Sequence, residues 1–358
     1  MSLRSLNPIL KGFRPTPVSL GLTKNFLEPQ YPQLLLDKLD LKSKYPEASK
    51  SLEVVDIYSG NGYFSSMLNY DLKPKNHVML ETSMAALKSF HQLREVLNKD
   101  PYKSTDLTFD HHYLNGFKWE IYTDIVNNGI ISPKTKPRNR IHDELLIFAN
   151  LASCPGGEAL FAQWMMCSAH QNWLQKYGRV RMIFIIPEVS ARKFLSKPYS
   201  RFRNRTAIKL ELFTDTKLIA INESNGTTHQ PDGCDYDVNV LLKDQPIILP
   251  SYSLYPANRF AVVEVIPKEN IDIDIPTLEY VTQILLFRKA TPLRESLAYL
   301  GPGAEEFLIP RLGHLLHKTV RELTSDEVKE VIEQFDLWPF KPSLEEMITI
   351  NREEGTDE

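Results

Sequence analysis

The sequence predicts an α/β protein, a parallel sheet with helices on both faces, followed by a small all-helical domain. Three observations predict it. Short apolar runs alternate with amphipathic stretches from Leu52 to Ile266, as strand–helix–strand units require. One of these runs, Leu52–Tyr58, ends in a turn holding Gly60 and Gly62 and leads into a helical pattern at Ser65, Met67 and Leu68. After Pro267 the apolar spacing becomes helical and stays so. The expected division is residues 1–268 for the α/β domain and 269–358 for the helical domain with its tail.

Pro32–Leu41 carries Leu34, Leu35, Leu36, Leu39 and Leu41, a helix that packs on a sheet. In the first sheet strand Val54 and Val55 are β-branched and apolar, as a buried strand needs, and Asp56 ends the run. Gly60 and Gly62 have no side chain to keep a ligand off the backbone. Strand, glycine turn and helix start together make a nucleotide-cofactor cradle. Val78, Met79 and Leu80 form a second strand ending at Glu81, a carboxylate at the spacing that reaches ribose hydroxyls. Taken alone, this stretch serves an ordinary βα turn equally well.

A helix follows from Ser83, its N-cap, to Leu97, and a third strand lies around Leu107–Phe109. Pro133–Arg140 is a loop rich in Pro, Lys and Arg. Leu145–Phe148 is a strand that stops at Asn150, and Gly156 and Gly157 open a long helix through Phe161, Trp164, Met165 and Trp173. Val180–Ile186 is the most apolar strand, stopped by Pro187. Phe213–Ile221 and Phe260–Ile266 are later strands, with Gly226 and Gly233 in a surface loop between them. Thr277–Arg288, Leu293–Leu300, Ala304–Leu308 and Ser325–Phe335 are helical in period, and Thr324–Glu327 supplies a capping start. Glu353–Glu358 is an acidic, frayed end.

The chain carries a net charge of −3, so a nucleic-acid role needs a local basic patch. Arg192–Lys209 is such a patch. It holds Arg192, Lys193, Lys197, Arg201, Arg203, Arg205 and Lys209 with no acid, and Phe194, Tyr199 and Phe202 lie between them. Cations neutralise phosphates and rings stack unpaired bases. Following Pro187, the segment is expected at the carboxyl edge of the sheet, where ligands bind. Lys134, Lys136, Arg138 and Arg140 make a weaker basic loop.

Cys154, Cys167 and Cys234 lack metal spacing and imply no disulfide framework, which makes them buried thiols. His111-His112 is a surface pair and no metal site. No apolar run reaches transmembrane length. Arg4, Lys11, Arg14 and Lys24 precede the first acid, Glu28, which is compatible with mitochondrial targeting, although Pro8, Pro15 and Pro17 oppose an amphipathic helix there.

Asn25-Phe26-Leu27, Asp56–Gly62, Glu81 and Asn150-Leu151 resemble four motifs of the rRNA adenine dimethyltransferases. Asp37–Leu41, Phe213–Ile221 and Trp338–Pro342 are similar to segments of the yeast mitochondrial transcription factors, a branch of the same superfamily. The resemblance runs from Lys24 to Ile350. It implies a Rossmann-like class I methyltransferase domain with a small helical domain. It also implies an initiation factor of the mitochondrial matrix, monomeric by itself. Its partners would be the single-subunit mitochondrial RNA polymerase and promoter DNA, mainly melted strands, with no membrane partner.

By the same resemblance Asn25, Leu27, Tyr58, Gly60, Glu81, Asn115 and Asn150 line a cofactor-shaped pocket. The enzymes have Gly in place of Tyr58 and Asp in place of Asn115. They continue Asn-Leu with Pro and an aromatic ring, where this chain has Ala152-Ser153, and Ser153 cannot stack a base. Phe161 or Trp164 could replace that ring, though both read more readily as helix core. The expectation is a protein with no catalytic residues and no required cofactor, its S-adenosylmethionine site vestigial. The alternatives are an active rRNA adenine dimethyltransferase and a protein scaffold without nucleic-acid contact.

Overall fold

The structure, a computed structural model, describes residues 2–17, 24–99, 108–152, 156–223, 236–257 and 259–347. Leu107, Ser153, Cys154, Gly226, Gly233, Cys234 and Glu353–Glu358 lie outside the described residues. The chain divides into two units, Met1–Ala191 with Thr214–Glu269, and Arg192–Phe213 with Asn270–Glu358. The expected cut after residue 268 thus has its counterpart at Glu269, but the segment 192–213 belongs with the helical unit.

The first unit is α/β. Its strands are β1 (Asn25–Phe26), β2 (Glu53–Ile57), β3 (Asn76–Leu80), β4 (Thr108–His112), β5 (Ile141–Asn150), β6 (Arg179–Pro187), β7 (Thr214–Asn222), β8 (Ile247–Leu249), β9 (Leu254–Tyr255) and β10 (Phe260–Pro267). Eight of them form one sheet in the order β4-β3-β2-β5-β6-β10-β7-β8, while β1 pairs with β9. From β4 to β6 neighbours run parallel. The parallel expectation fails at β10, which lies antiparallel to both β6 and β7. An apolar run specifies a buried strand and not its direction, so Phe260–Ile266 fits either sense. Val54, Val55, Leu146, Ile147, Phe184 and Val263 are essentially inaccessible, as a sheet covered on both faces demands.

The register brings the site together. Ile57 lies level with Leu80 on one side and Ala149 on the other. The next residues, Tyr58, Glu81 and Asn150, therefore meet at one carboxyl edge, where the strand order reverses about β2. Beneath them Asp56 does not end its strand but lies within it, fully buried, with an oxygen 3.1 Å from His77 Nε2. The other ring nitrogen of His77 sits 3.3 Å from Asn69 Nδ2.

Helix Met84–Leu97 starts as expected, with Ser83 Oγ accepting from the Ala86 N–H at 3.3 Å. The helix opened by Gly157 ends earlier than expected, at His170, because Gln171 adopts a left-handed conformation (φ 52°). The break turns Trp173 back so that its ring stacks on Trp164 at 4.9 Å and 4°. Trp164 and Phe161 are both buried against Phe184, which places them in the core.

The second unit is helical. Helix Ile275–Phe287 is capped by Asp274, whose carboxylate accepts the Thr277 N–H at 3.0 Å. Helix Ser325–Asp336 opens with the capping box its sequence announces: Thr324 Oγ1 accepts from Glu327 N–H at 3.1 Å and Glu327 accepts from Thr324 N–H at 2.9 Å. The rings of Tyr280 and Phe335 stack at 5.7 Å between these two helices. Helix Arg205–Phe213 packs in the same unit.

Candidate cofactor site and nucleic-acid interface

The glycine turn closes on the protein's own side chains. Gly60 and Gly62 have φ of 61° and 73°, the left-handed region that glycine enters without strain. A Cβ on Gly60 would lie 2.0 Å from Asn25 Oδ1, so Asn25 occupies the approach to that backbone. The same oxygen accepts the Asn61 N–H at 2.8 Å. Leu27 follows, partly exposed.

Glu81 is fully buried, and both carboxylate oxygens are engaged. One accepts from Gly60 N–H at 2.9 Å, the other from Thr82 and Ser83 N–H at 2.8 and 2.9 Å. Burial pushes its carboxyl above the ordinary range even against these three donors. Three of the carboxylate's roughly four acceptor sites are thus taken by backbone amides, which leaves one on the oxygen facing Gly60.

Tyr58 is buried with φ 57°, and its hydroxyl donates to Asn115 Oδ1 at 3.0 Å. That oxygen also accepts the Phe117 N–H at 3.0 Å, and the Phe117 and Tyr58 rings lie 5.6 Å apart. Asn150 donates to the Lys24 carbonyl at 2.6 Å and accepts, at 3.4 Å, from Ala152 N–H. Its amide is thus turned to local backbone. Between Asn25, Asn61, Phe64, Phe148 and Asn150 remains a cavity of about 10 Å³, room for about one water molecule. The Ser59 hydroxyl and the Asn61 amide face it without partners among the described residues.

The basic segment, expected as a patch of available cations, is largely built into structure. Helices Glu188–Phe194 and Arg205–Phe213 bracket it, and Arg192 and Lys193 are half-buried on the first of these. Arg203 is wholly buried: it meets Glu211 at 2.7 Å, Ser325 Oγ at 3.1 Å and the Ser196 carbonyl at 2.8 Å. Lys197 meets Glu211 at 2.6 Å, Lys209 meets Glu279 at 2.5 Å, and Arg205 donates to Gln283 at 2.8 Å. Burial alone would raise the Glu211 carboxyl, but Arg203, Lys197 and Ser325 together hold it below the ordinary value. Arg203 is therefore removed from the expected nucleic-acid contacts, because its charge is spent inside the helical unit. Arg201 and Tyr199 are exposed, and the Arg201 guanidinium lies 4.8 Å from the Phe202 ring.

In the second basic loop Lys134 and Lys136 are paired with acids. Lys136 pairs with Glu144 at 2.6 Å and Asp143 at 3.3 Å, while Arg138 donates to the carbonyls of Gln175 and Gly178. Asp143, Glu144 and Glu211 stand just past the basic runs and Glu279 lies far from Lys209 in the chain, so a run read by itself does not show which cations are paired. His111 is not a simple surface residue either; burial, with His112 and His91 beside it, pushes its pKa down to about 4. Burial pushes the Cys167 thiol up to about 12, that of a structural thiol. Among the described residues no group of three or more His, Cys, Asp or Glu could hold a metal ion, and no helix is long and apolar enough to cross a membrane.

Sheet order, register and glycine turn define a Rossmann-like class I methyltransferase fold with a helical C-terminal region. The ribosomal RNA adenine dimethylase family matches residues 21–336, and the chain belongs to that family. Among curated proteins it is similar to mitochondrial transcription factor 1 of Lachancea kluyveri, 31% identical over 320 residues and 87% of each chain. It is similar also to that of Saccharomyces paradoxus, 30% identical over the same share. Among solved structures it resembles a dimethyladenosine transferase from Plasmodium falciparum, with a TM-score of 0.56 at 13% identity, covering 88% of this chain and 98% of that one. The 23S rRNA methyltransferase ErmE superposes with a TM-score of 0.50 at 11% identity, over 88% of this chain and 100% of that one.

Proposed function

We propose that the protein is a mitochondrial transcription factor that works without methyl transfer. In this reading it assists the single-subunit RNA polymerase of the matrix in recognising and melting promoters and holds the melted strand. The observation that carries the role is the likeness to two mitochondrial transcription factors across 87% of each chain. Against catalysis stands the cofactor site. Glu81, Asn25 and Tyr58 are bonded to Gly60, Asn61 and Asn115, which supports a site engaged with its own side chains and not with S-adenosylmethionine. Melting costs about 1.4 kcal/mol per base-pair step, so a few captured bases with several phosphate contacts offset a short bubble.

Run-off transcription from a linear promoter, with polymerase alone and with the protein added, tests this reading. Stimulation that is large on duplex and small on a pre-melted promoter is the expected result. Equal output with and without the protein would reject it. The family match favours a second reading, an active rRNA adenine dimethyltransferase. Incorporation of labelled methyl into a small-subunit rRNA hairpin would establish that one.

A further inference from the structure

We infer that the helical unit carries a grip for one phosphodiester and one unpaired base, built by Lys289, Arg321 and Arg201 around the exposed ring of Tyr199. This rests on the reading of the protein as a holder of melted DNA, and it names where on the helical unit a strand would be held.

Three segments distant in sequence are laced together here. The Tyr199 N–H donates to the Arg321 carbonyl at 3.0 Å, and the Arg321 N–H donates to the Lys289 carbonyl at 2.9 Å. The Lys289 ammonium returns to the carbonyls of Arg201 at 2.6 Å and Arg203 at 3.3 Å. Four residues that no sequence window contains are thus brought together within one unit.

Lys289 and Arg201 keep their charge, while Arg321 stands beside Glu322, whose carboxyl its charge helps to hold below the ordinary range. Lys197, Arg203, Lys209 and Lys318 each meet a carboxylate. Among the described residues no carboxylate pairs with Lys289, Arg321 or Arg201. The Arg321 Nε is buried and has no acceptor. Burial, with Arg321 nearby, holds the Lys289 ammonium below its usual range, the environment an added anion would relieve.

Tyr199 supplies the second half. Its ring is 68% exposed although its backbone is fixed at φ 71°. A residue with a Cβ is strained in that region, so the fold holds a ring in water at a cost. An exposed ring beside unneutralised cations suits a single strand, whose phosphates need charge and whose bases need a flat partner. A duplex keeps its bases stacked and offers only the phosphates.

The test is fluorescence anisotropy of the full chain with a short single-stranded thymidine oligonucleotide across a salt series. An oligonucleotide with a central abasic stretch, and a polyglutamate peptide, are run beside it. Tyr199→Asn keeps a residue that tolerates positive φ and removes the ring, while Tyr199→Phe keeps the ring. Lys289→Gln and Arg321→Gln retain N–H donors and remove charge. Thermal melting confirms that each variant is folded.

Tyr199→Asn is expected to weaken binding of the intact strand about 5- to 150-fold, with Tyr199→Phe close to wild type and little change on the abasic strand. The two Gln substitutions combined should flatten the slope of log affinity against log salt by up to about 0.7, the release of one phosphate contact, on both strands. If the wild type binds and all folded variants keep its affinity and slope, the grip is elsewhere while the strand-holding reading survives. If the wild type binds no single strand, both fall. If these variants abolish only polyglutamate binding, the face belongs to an acidic protein partner and the proposal is overturned.

Discussion

Tyr58 and Asn115 hold each other across the carboxyl edge of the sheet, the phenol donating to the amide oxygen at 3.0 Å while that oxygen also takes the Phe117 N–H. Two of the positions at which, by resemblance, the chain departs from the enzymes are therefore bonded to one another. The expected consequence is weak or absent cofactor binding, and calorimetry should show no saturable heat in the micromolar range typical of enzyme substrates. Tyr58→Gly relieves a positive φ but deletes a buried ring, a net loss of about 2–4 kcal/mol in urea unfolding. Combined with Asn115→Asp it should bind S-adenosylmethionine more tightly than wild type. No gain in the double variant would mean that Asn25 and Glu81 close the site by themselves.

Glu81 carries three backbone amides, that of Gly60 in the glycine turn and those of Thr82 and Ser83 that follow it in the chain. Glu81→Ala leaves buried donors unmet and should cost about 3 kcal/mol or more. Glu81→Gln keeps an acceptor and avoids ionising a buried carboxyl, so its cost should be smaller. Equal losses for the two variants would contradict the bonding described.

Arg203 and Glu211 form a buried pair in the helical unit. Glu211→Gln strands the guanidinium and should destabilise by about 3–5 kcal/mol. Arg203→Ala should likewise lower the melting temperature while leaving the salt slope of DNA binding unchanged. A folded Arg203→Ala chain with a flattened slope would show that this arginine reaches phosphate after all.

His111 sets an acid limit on the α/β unit. Its folded pKa, near 4, lies below the ordinary histidine value of about 6.5, so its contribution is complete above pH 6.5 and is lost as pH falls toward 4. His111→Phe should flatten the stability profile between these limits, and an unchanged profile would assign the acid sensitivity to other groups.

Met347 is buried, with its N–H on the Ser343 carbonyl at 3.0 Å. Removal of residues 348–358 should leave the melting temperature unchanged and lower initiation. Removal from Ser343 onward should also lose about 2 kcal/mol, since it strips a buried side chain. Normal initiation by the shorter truncation would show that the tail past Met347 has no part in transcription.

The α/β core was legible because it rests on local signals. Val54-Val55, Gly60, Gly62, Ser83 and Thr324 each act through neighbours a few residues away, so strand, turn and caps appear in the chain where the structure has them. The residues of the cofactor site were also legible, as a set defined by resemblance. Their state was not, because Asn25 meets Gly60 and Tyr58 meets Asn115 only after folding.

By itself the sequence determined the alternation of strands and helices, the capped helices of the second unit and the family. Tertiary structure alone decided the antiparallel sense of β10, the affiliation of Arg192–Phe213 with the helical unit, and which cations keep their charge. The reason is range. Periodicity and capping are written within a turn or two of chain, whereas an ion pair is settled by partners such as Arg203 and Glu211, joined to Ser325 across 122 residues. A run of seven basic residues looks uniform in sequence, and only the acids and carbonyls brought to it by the fold separate a buried Arg203 from an exposed Arg201.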